Sequence, residues 1–313
     1  MVKNAKKNGN LKNSPLANIK KHWQLLVFIL PGLAALILFN YLPMGGVLVA
    51  FKDYKIRDGI LGSDWVGFEN FHKMFTGMEF PRVLKNTVVI SFLKLVLSFP
   101  APVILALLLN ELRSNKLKRT IQTISYLPHF LSWVILGSIF TMLFAVEGPV
   151  NSLLVALGVP ERIPFFRSEG WFLVLIVLTH IYQTVGWGTI IYLAAITGID
   201  NSVVEAAAID GAGRFKQVIH VTLPTILPTI ITVFILNLGS ILSAGFDQIY
   251  NLYNPTLYNV ADVIDTYVLR QLQDNKYSLG TAVGLFKSVV SLVFVLGTNW
   301  IVNKLSDNEM GIL

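Results

Sequence analysis

WFLVLIVLTHIYQTVGWGTIIYLAAI, residues Trp171–Ile196, runs for 26 positions without an Asp, Glu, Lys or Arg. The hydrocarbon core of a bilayer is about 30 Å thick, and a helix of about 20 apolar residues crosses it. A barrel strand would need only about 10 residues of alternating polarity. This run is far longer and does not alternate, so it is expected to be a membrane-spanning helix. Moving outward from it, five further stretches satisfy the same test: Leu25–Phe51, Val88–Leu109, Ile124–Val146, Ile226–Gly245 and Leu279–Val302. None contains an acidic residue. Composition agrees. The 313-residue chain is 54% hydrophobic and 14% charged, whereas a soluble protein is about 45–50% apolar and about 25% charged. There are no cysteines, which excludes disulfides, thiolate catalysis and Cys-ligated metal. The first apolar run is too long for a signal-peptide core and has no nearby cleavage pattern, so it is expected to remain as the first span.

The net charge of +7 is a topology signal rather than a nucleic-acid surface. Lys and Arg concentrate in cytoplasmic segments. With the N-terminus inside, the cytoplasmic parts hold thirteen basic and six acidic residues and the outer connections nine and twelve. Lys85, Lys94 and Lys287 lie in or at spans. The expected organisation is a basic cytoplasmic tail at 1–22 that touches anionic lipid, a six-span domain at 23–303, and a cytoplasmic C-terminal tail at 304–313. Trp23, Tyr41, Trp65, Trp171, Tyr192 and Trp300 lie near predicted span ends and suit an aromatic belt.

The connection after the opening stretch reads DNSVVEAAAIDGAGRFKQVIHVTLP, residues Asp200–Pro224. Ser202 and Glu205 have the spacing of a capping box, three alanines favour helix, and Gly211 and Gly213 can end it because glycine accepts left-handed backbone. A second short amphipathic stretch over Phe215–Val221 precedes the next span. Two short helices at an angle would present Ala206, Ala207 and Ile209 on a small apolar knob, a docking surface rather than a catalytic site.

Glu205-Ala206-Ala207, Gly211 four positions on, and Leu223-Pro224 resemble the EAA loop of importer-type ABC permeases, E-A-A-x3-G-x9-I-x-L-P, with Val221 in place of the usual isoleucine. The resemblance implies that this loop, with Glu205, Ala206, Ala207, Asp210, Gly211, Leu223 and Pro224, is the coupling helix that enters a cleft on a separate ATPase subunit. Ser125-Tyr-Leu-Pro-His-Phe130, Phe99-Pro-Ala-Pro102, Phe246–Pro255 and Val263–Tyr267 are similar to the carbohydrate branch that includes lipoprotein-operon B-type and rhamnogalacturonan-type permeases. Over about residues 20–310 this implies an all-α, maltose-permease-like fold. It also implies a second related permease, two ATPase subunits, an extracytoplasmic binding protein and an oligosaccharide substrate. The chain has no G-x4-G-K-[ST] phosphate loop, so it is expected to be no enzyme and to hold no cofactor, ATP and Mg being bound by the partner ATPases. An amino-acid or peptide permease of the same class is the alternative. An ion-coupled transporter would usually carry a carboxylate within a span, and a membrane enzyme would need a catalytic cluster that is not evident.

Polar residues within spans face cavities or other helices. His180, Gln183, Thr184 and Trp187 fall on one face of span four; Asn237, Ser240, Ala244 and Asp247 are expected on a face of span five. Aromatic faces with amides and hydroxyls suit sugars, so Gln183, Trp187, Asn237, Ser240 and Asp247 are candidates for the substrate path; resemblance to the maltose permease puts Asn237 near sugar-contacting positions. Helix packing is the competing role for each. Lys94 and Lys287 lie about 12–15 Å into their spans, where a lysine costs about 2.5–3.5 kcal/mol. Snorkelling or a loop carboxylate would relieve that cost. Alternatively both line an outward-facing cavity that favours acidic saccharides such as uronate oligomers. The outer segment Phe246–Leu279 is acidic and aromatic and is expected to contact the binding protein or the neighbouring permease.

Overall fold

A computed structural model describes residues 23–238 and 241–305. The basic tail and residues 306–313 lie outside them. The described residues are mostly helical, with one two-residue antiparallel pairing, Lys52–Asp53 with Asp64–Trp65, among them. Five helices are long and apolar enough to cross a membrane: Val27–Phe51, Glu79–Asn110, Glu169–Thr197, Arg214–Leu238 and Tyr277–Lys304. A bent pair, Asn115–Phe130 and Trp133–Leu143, turns by 104° and makes a sixth when its two parts are counted as one span. They are termed spans one to six in chain order, the bent pair being span three.

The break in span three corrects the expectation of one continuous helix over Ile124–Val146. Pro128 opens a 3-10 turn at Leu127–Phe130, and proline has no N–H to give to a helical ladder. Ser132 then restarts the helix by accepting a hydrogen bond from the Ile135 N–H at 3.4 Å, an N-cap in the middle of an apolar run. Hydropathy does not register either event.

Span five is displaced from its expected position. It begins at Arg214 rather than Ile226, because the amphipathic stretch is not a separate angled helix. Arg214–Gln217 passes through a π turn at Val218–Thr222 directly into Leu223–Leu238. Nor does a regular α-helix reach Gly245. Ile241–Ser243 is a 3-10 turn, and Ala244 and Gly245 both have left-handed backbone, φ 48° and 80°. Asp247 therefore sits on a different helix, Phe246–Leu252, and does not share a face with Asn237.

Three apolar clusters hold the bundle together. Val103, Ala106, Leu109, Tyr192, Ile196 and Ile226 join spans two, four and five near the Asp200–Gly213 connection. Tyr192 is 2% exposed there, so it is core and not part of an aromatic belt. A central cluster brings Ile90, Leu136, Phe140, Phe172 and Ile176 against Ile249 and Leu257. A third, at the far end, packs Met74, Phe80 and Val83 with Ile264, Tyr267 and Val283. The segment between spans five and six is thus folded helix, Phe246–Leu252 and Ile264–Gln273, rather than an open loop. Asn86 ties it to span two by donating to the Asp262 carbonyl at 3.1 Å.

Spans three and four touch backbone to backbone at Gly186. A Cβ there would lie 2.0 Å from the Ser125 carbonyl oxygen, so only glycine allows the approach. Gly186→Ala is expected to destabilise the permease by about 1–3 kcal/mol, as overpacking does where the neighbour cannot give way. A thermal unfolding midpoint equal to that of the native protein would show the contact to be dispensable.

Candidate functional site

The Asp200–Gly213 connection is built locally. Asp200 caps the helix Asn201–Ile209, its Oδ1 accepting from the Ser202 N–H at 2.9 Å. That bond, followed by the Ser202 hydroxyl, holds the Asp200 carboxyl below its usual range. The Ser202–Glu205 capping box expected from spacing is not formed; Asp200, two positions earlier, takes its role. Glu205 and Asp210 are exposed and make no ion pair among the described residues. The helix ends through Gly211 at φ 80°, with Gly211 N donating to Ala208 O at 3.1 Å and Ala212 N to Ala207 O at 2.9 Å. Gly213 is not left-handed; it is the extended residue before Arg214. Ile209 is 85% and Phe215 77% exposed, which is costly for such side chains in water. Ala206 is exposed and Ala207 half-buried. Leu223, within span five, packs partly buried against the core, while Pro224 is exposed. Arg214 reaches Glu111 at the end of span two, 3.9 Å away.

Further along the same two spans lies a cavity of about 370 Å³. Span four contributes His180, Thr184 and Trp187, span two Ser91, Lys94 and Ser98, span three His129, and span five Asn237, with Ala244 and Gly245 beyond it. His129 stacks flat on Trp187, ring centroids 4.7 Å apart and planes within 4°, and Phe130 meets the same indole edge-on at 5.8 Å. Two buried polar atoms at this cavity, Ser98 Oγ and His129 Nδ1, have no hydrogen-bond partner among the described residues. Asn237 donates back to the Val233 carbonyl at 2.8 Å and Thr184 to that of His180 at 2.8 Å.

Of the expected path residues, Trp187, Asn237 and Lys94 are brought together here. Gln183 is not. It donates to the Leu131 carbonyl at 3.3 Å and faces a second recess with Asp247 and Asn251. Ser240 lies outside the described residues. Lys287 is absent from the cavity lining; its ammonium holds both oxygens of Asp265 at 2.6 and 2.7 Å. A carboxylate from the segment between spans five and six thus relieves Lys287. Lys94 neither snorkels nor finds a carboxylate: it is 8% exposed and donates to the Ala244 carbonyl at 2.6 Å. Ser91, Ser98 and His129 escape notice in the sequence, the serines because single hydroxyls in an apolar run are unremarkable. The signal for His129 is Pro128, which marks the bend that turns this ring toward Trp187.

An exposed knob joined directly to two spans that wall a largely apolar cavity with a few polar groups is the arrangement of a transport subunit. The chain belongs to the family of inner membrane components of binding-protein-dependent transport systems, whose model matches residues 98–307; it is a membrane permease of an ABC importer. It is 46% identical to protein LplB of Bacillus subtilis (strain 168) over 94% of this chain and 93% of that one. It is 45% identical to the polygalacturonan/rhamnogalacturonan transport system permease protein YteP of the same organism, over 90% and 88%. Among solved structures, a chain of a bacterial alginate ABC transporter in complex with an alginate pentasaccharide-bound periplasmic protein superposes with a TM-score of 0.87. The two share 37% identity over 95% of this chain and 99% of that one.

Proposed function

We propose that this permease imports oligosaccharides in an ATP-driven, binding-protein-dependent complex with a second related permease and two ATPase subunits. ATP and magnesium are bound by the ATPases, and the termini and the Asp200–Gly213 knob lie on the cytoplasmic side. The observation that carries the reading is connectivity. Span four, which lines the cavity through His180, Thr184 and Trp187, runs into Asp200, and span five leads from Arg214 to Asn237. A push on the knob therefore acts on two cavity walls at once, the mechanical requirement of alternating access. The His129–Trp187 stack offers a flat face for pyranose C–H groups, with polar atoms at its edge for hydroxyls. The substrate named for YteP and the saccharide held by the alginate importer's periplasmic protein support the same class. Excess positive charge in the N-terminal tail and at Arg113, Lys116, Lys118 and Arg119 supports the orientation.

The test is uptake of labelled oligosaccharide into proteoliposomes that hold the complete importer, with and without ATP. ATP-dependent accumulation of saccharide, not displaced by excess amino acid or peptide, is the expected result. Uptake driven by a proton or sodium gradient without ATP would overturn the reading.

A further inference from the structure

We propose that Lys94 is the residue that reads a carboxylate on the substrate, exchanging the Ala244 carbonyl for it, so that the permease selects acidic saccharides such as uronate oligomers. This rests on the saccharide reading above. The three cations held against the upper bundle are treated differently. Lys287 is matched by Asp265 and Arg270 by Asp262, at 2.6 Å and 2.7 Å. Lys94 is more deeply buried than either, yet no carboxylate among the described residues pairs with it; a neutral carbonyl is its partner. A buried cation without a counter-charge is unfavourable, and an ammonium has three donors, of which this bond uses one. The cavity beside it supplies what else a sugar needs: unpartnered Ser98 Oγ and His129 Nδ1, and the Trp187 face. A single compact cation fits one negative charge, which favours a carboxylate over a phosphate dianion, whose oxygens call for several donors or an Arg fork.

The carbonyl that Lys94 holds belongs to a strained turn. Ala244 is a non-glycine residue at φ 48°, and a Cβ on Gly245 would lie 2.6 Å from the Lys94 Nζ. The turn is shaped around the ammonium. When a substrate carboxylate takes the ammonium, the Ala244 carbonyl loses its partner and the Ala244–Gly245 turn is released.

The experiment uses the assembled permease pair with its ATPases in nanodiscs, without binding protein, and equilibrium binding of radiolabelled tetragalacturonate and of its methyl ester, which keeps the skeleton and removes the charge. Lys94→Met is expected to weaken the acid by about tenfold or more and the ester by much less, so that the ratio of acid to ester affinity falls; ester binding that remains measurable reports that the variant is folded. Lys94→Arg should keep most of the preference for the acid. Equal losses for acid and ester, or no loss for either, would overturn the assignment and leave Lys94 as a pin for the turn. If the native complex binds neither compound nor any neutral oligosaccharide, the saccharide reading itself falls, and this proposal with it.

Discussion

Gly211→Val is expected to lower ATP-driven uptake by about tenfold or more, while the assembled importer still hydrolyses ATP. A β-branched residue at φ 80° is strained by about 1–3 kcal/mol. Space is not the difficulty, since a Cβ there meets nothing within 4 Å; the backbone angle is. Relief of that strain breaks the bonds Gly211 N to Ala208 O and Ala212 N to Ala207 O. The helix Asn201–Ile209 then changes its angle to Arg214 and presents Glu205 and Ile209 differently. ATP turnover would no longer be matched to movement of spans four and five. Asn at the same position tolerates left-handed backbone and should retain much of the uptake. Parallel measurement of hydrolysis and uptake decides the matter: unchanged uptake in Gly211→Val would sink the docking role of this turn.

The second large effect is expected from Asp262→Ala, a loss of about 3–5 kcal/mol, as when one partner of a buried ion pair is removed. The lower end applies, because the Arg270 side chain is 22% exposed whereas Asp262 is fully buried. Asp262 accepts from Arg270 at 2.7 Å and from Thr266 Oγ1 at 2.9 Å, and its own carbonyl takes the Asn86 amide. The guanidinium lies over Tyr258 and Tyr267, 5.0 and 5.4 Å from their ring centres, and touches Glu79 at 3.6 Å. Burial works against its charge, but the Asp262 carboxylate outweighs this and holds Arg270 above its ordinary pKa. Without the Asp262 carboxylate, Arg270 and Thr266 Oγ1 lose their acceptor and a poorly matched cation is left behind, while the Asn86 bond to the main-chain carbonyl at 262 is kept. Thermal unfolding of the purified permease should show the loss, and adding Arg270→Met should recover most of it. A single variant as stable as the native protein would show that the packing of Ile264 and Tyr267 suffices.

Both effects bear on what was legible beforehand. The knob could be read from residue types, because Gly211 and the alanines before it act within a few positions of one another. Its cap could not be assigned by spacing alone: Ser202 and Glu205 matched a capping pattern, but Asp200 was as well placed and formed the bond. The cavity was only half visible. Trp187 and Asn237 stood out as polar or aromatic residues in apolar runs, yet Gln183, one helical turn from Trp187, faces a separate recess because span three bends across that side. The contrast between Lys94 and Lys287 was hidden for the same reason. Each looked like a lone lysine in a span, and only the tertiary fold delivers Asp265 to Lys287 and the Ala244 carbonyl to Lys94.

Hydropathy by itself determined that the chain is a helical membrane protein with six long apolar stretches, since solvation in lipid acts on each segment regardless of its neighbours. The 20-residue loop pattern placed it among importer permeases, since docking depends on a short contiguous surface. Tertiary structure alone decided where span three breaks, where span five begins and ends, which polar residues share a cavity and which cation lacks a counter-ion. Those outcomes turn on distances between atoms far apart in the chain, such as Lys94 and Ala244, and no local preference encodes them.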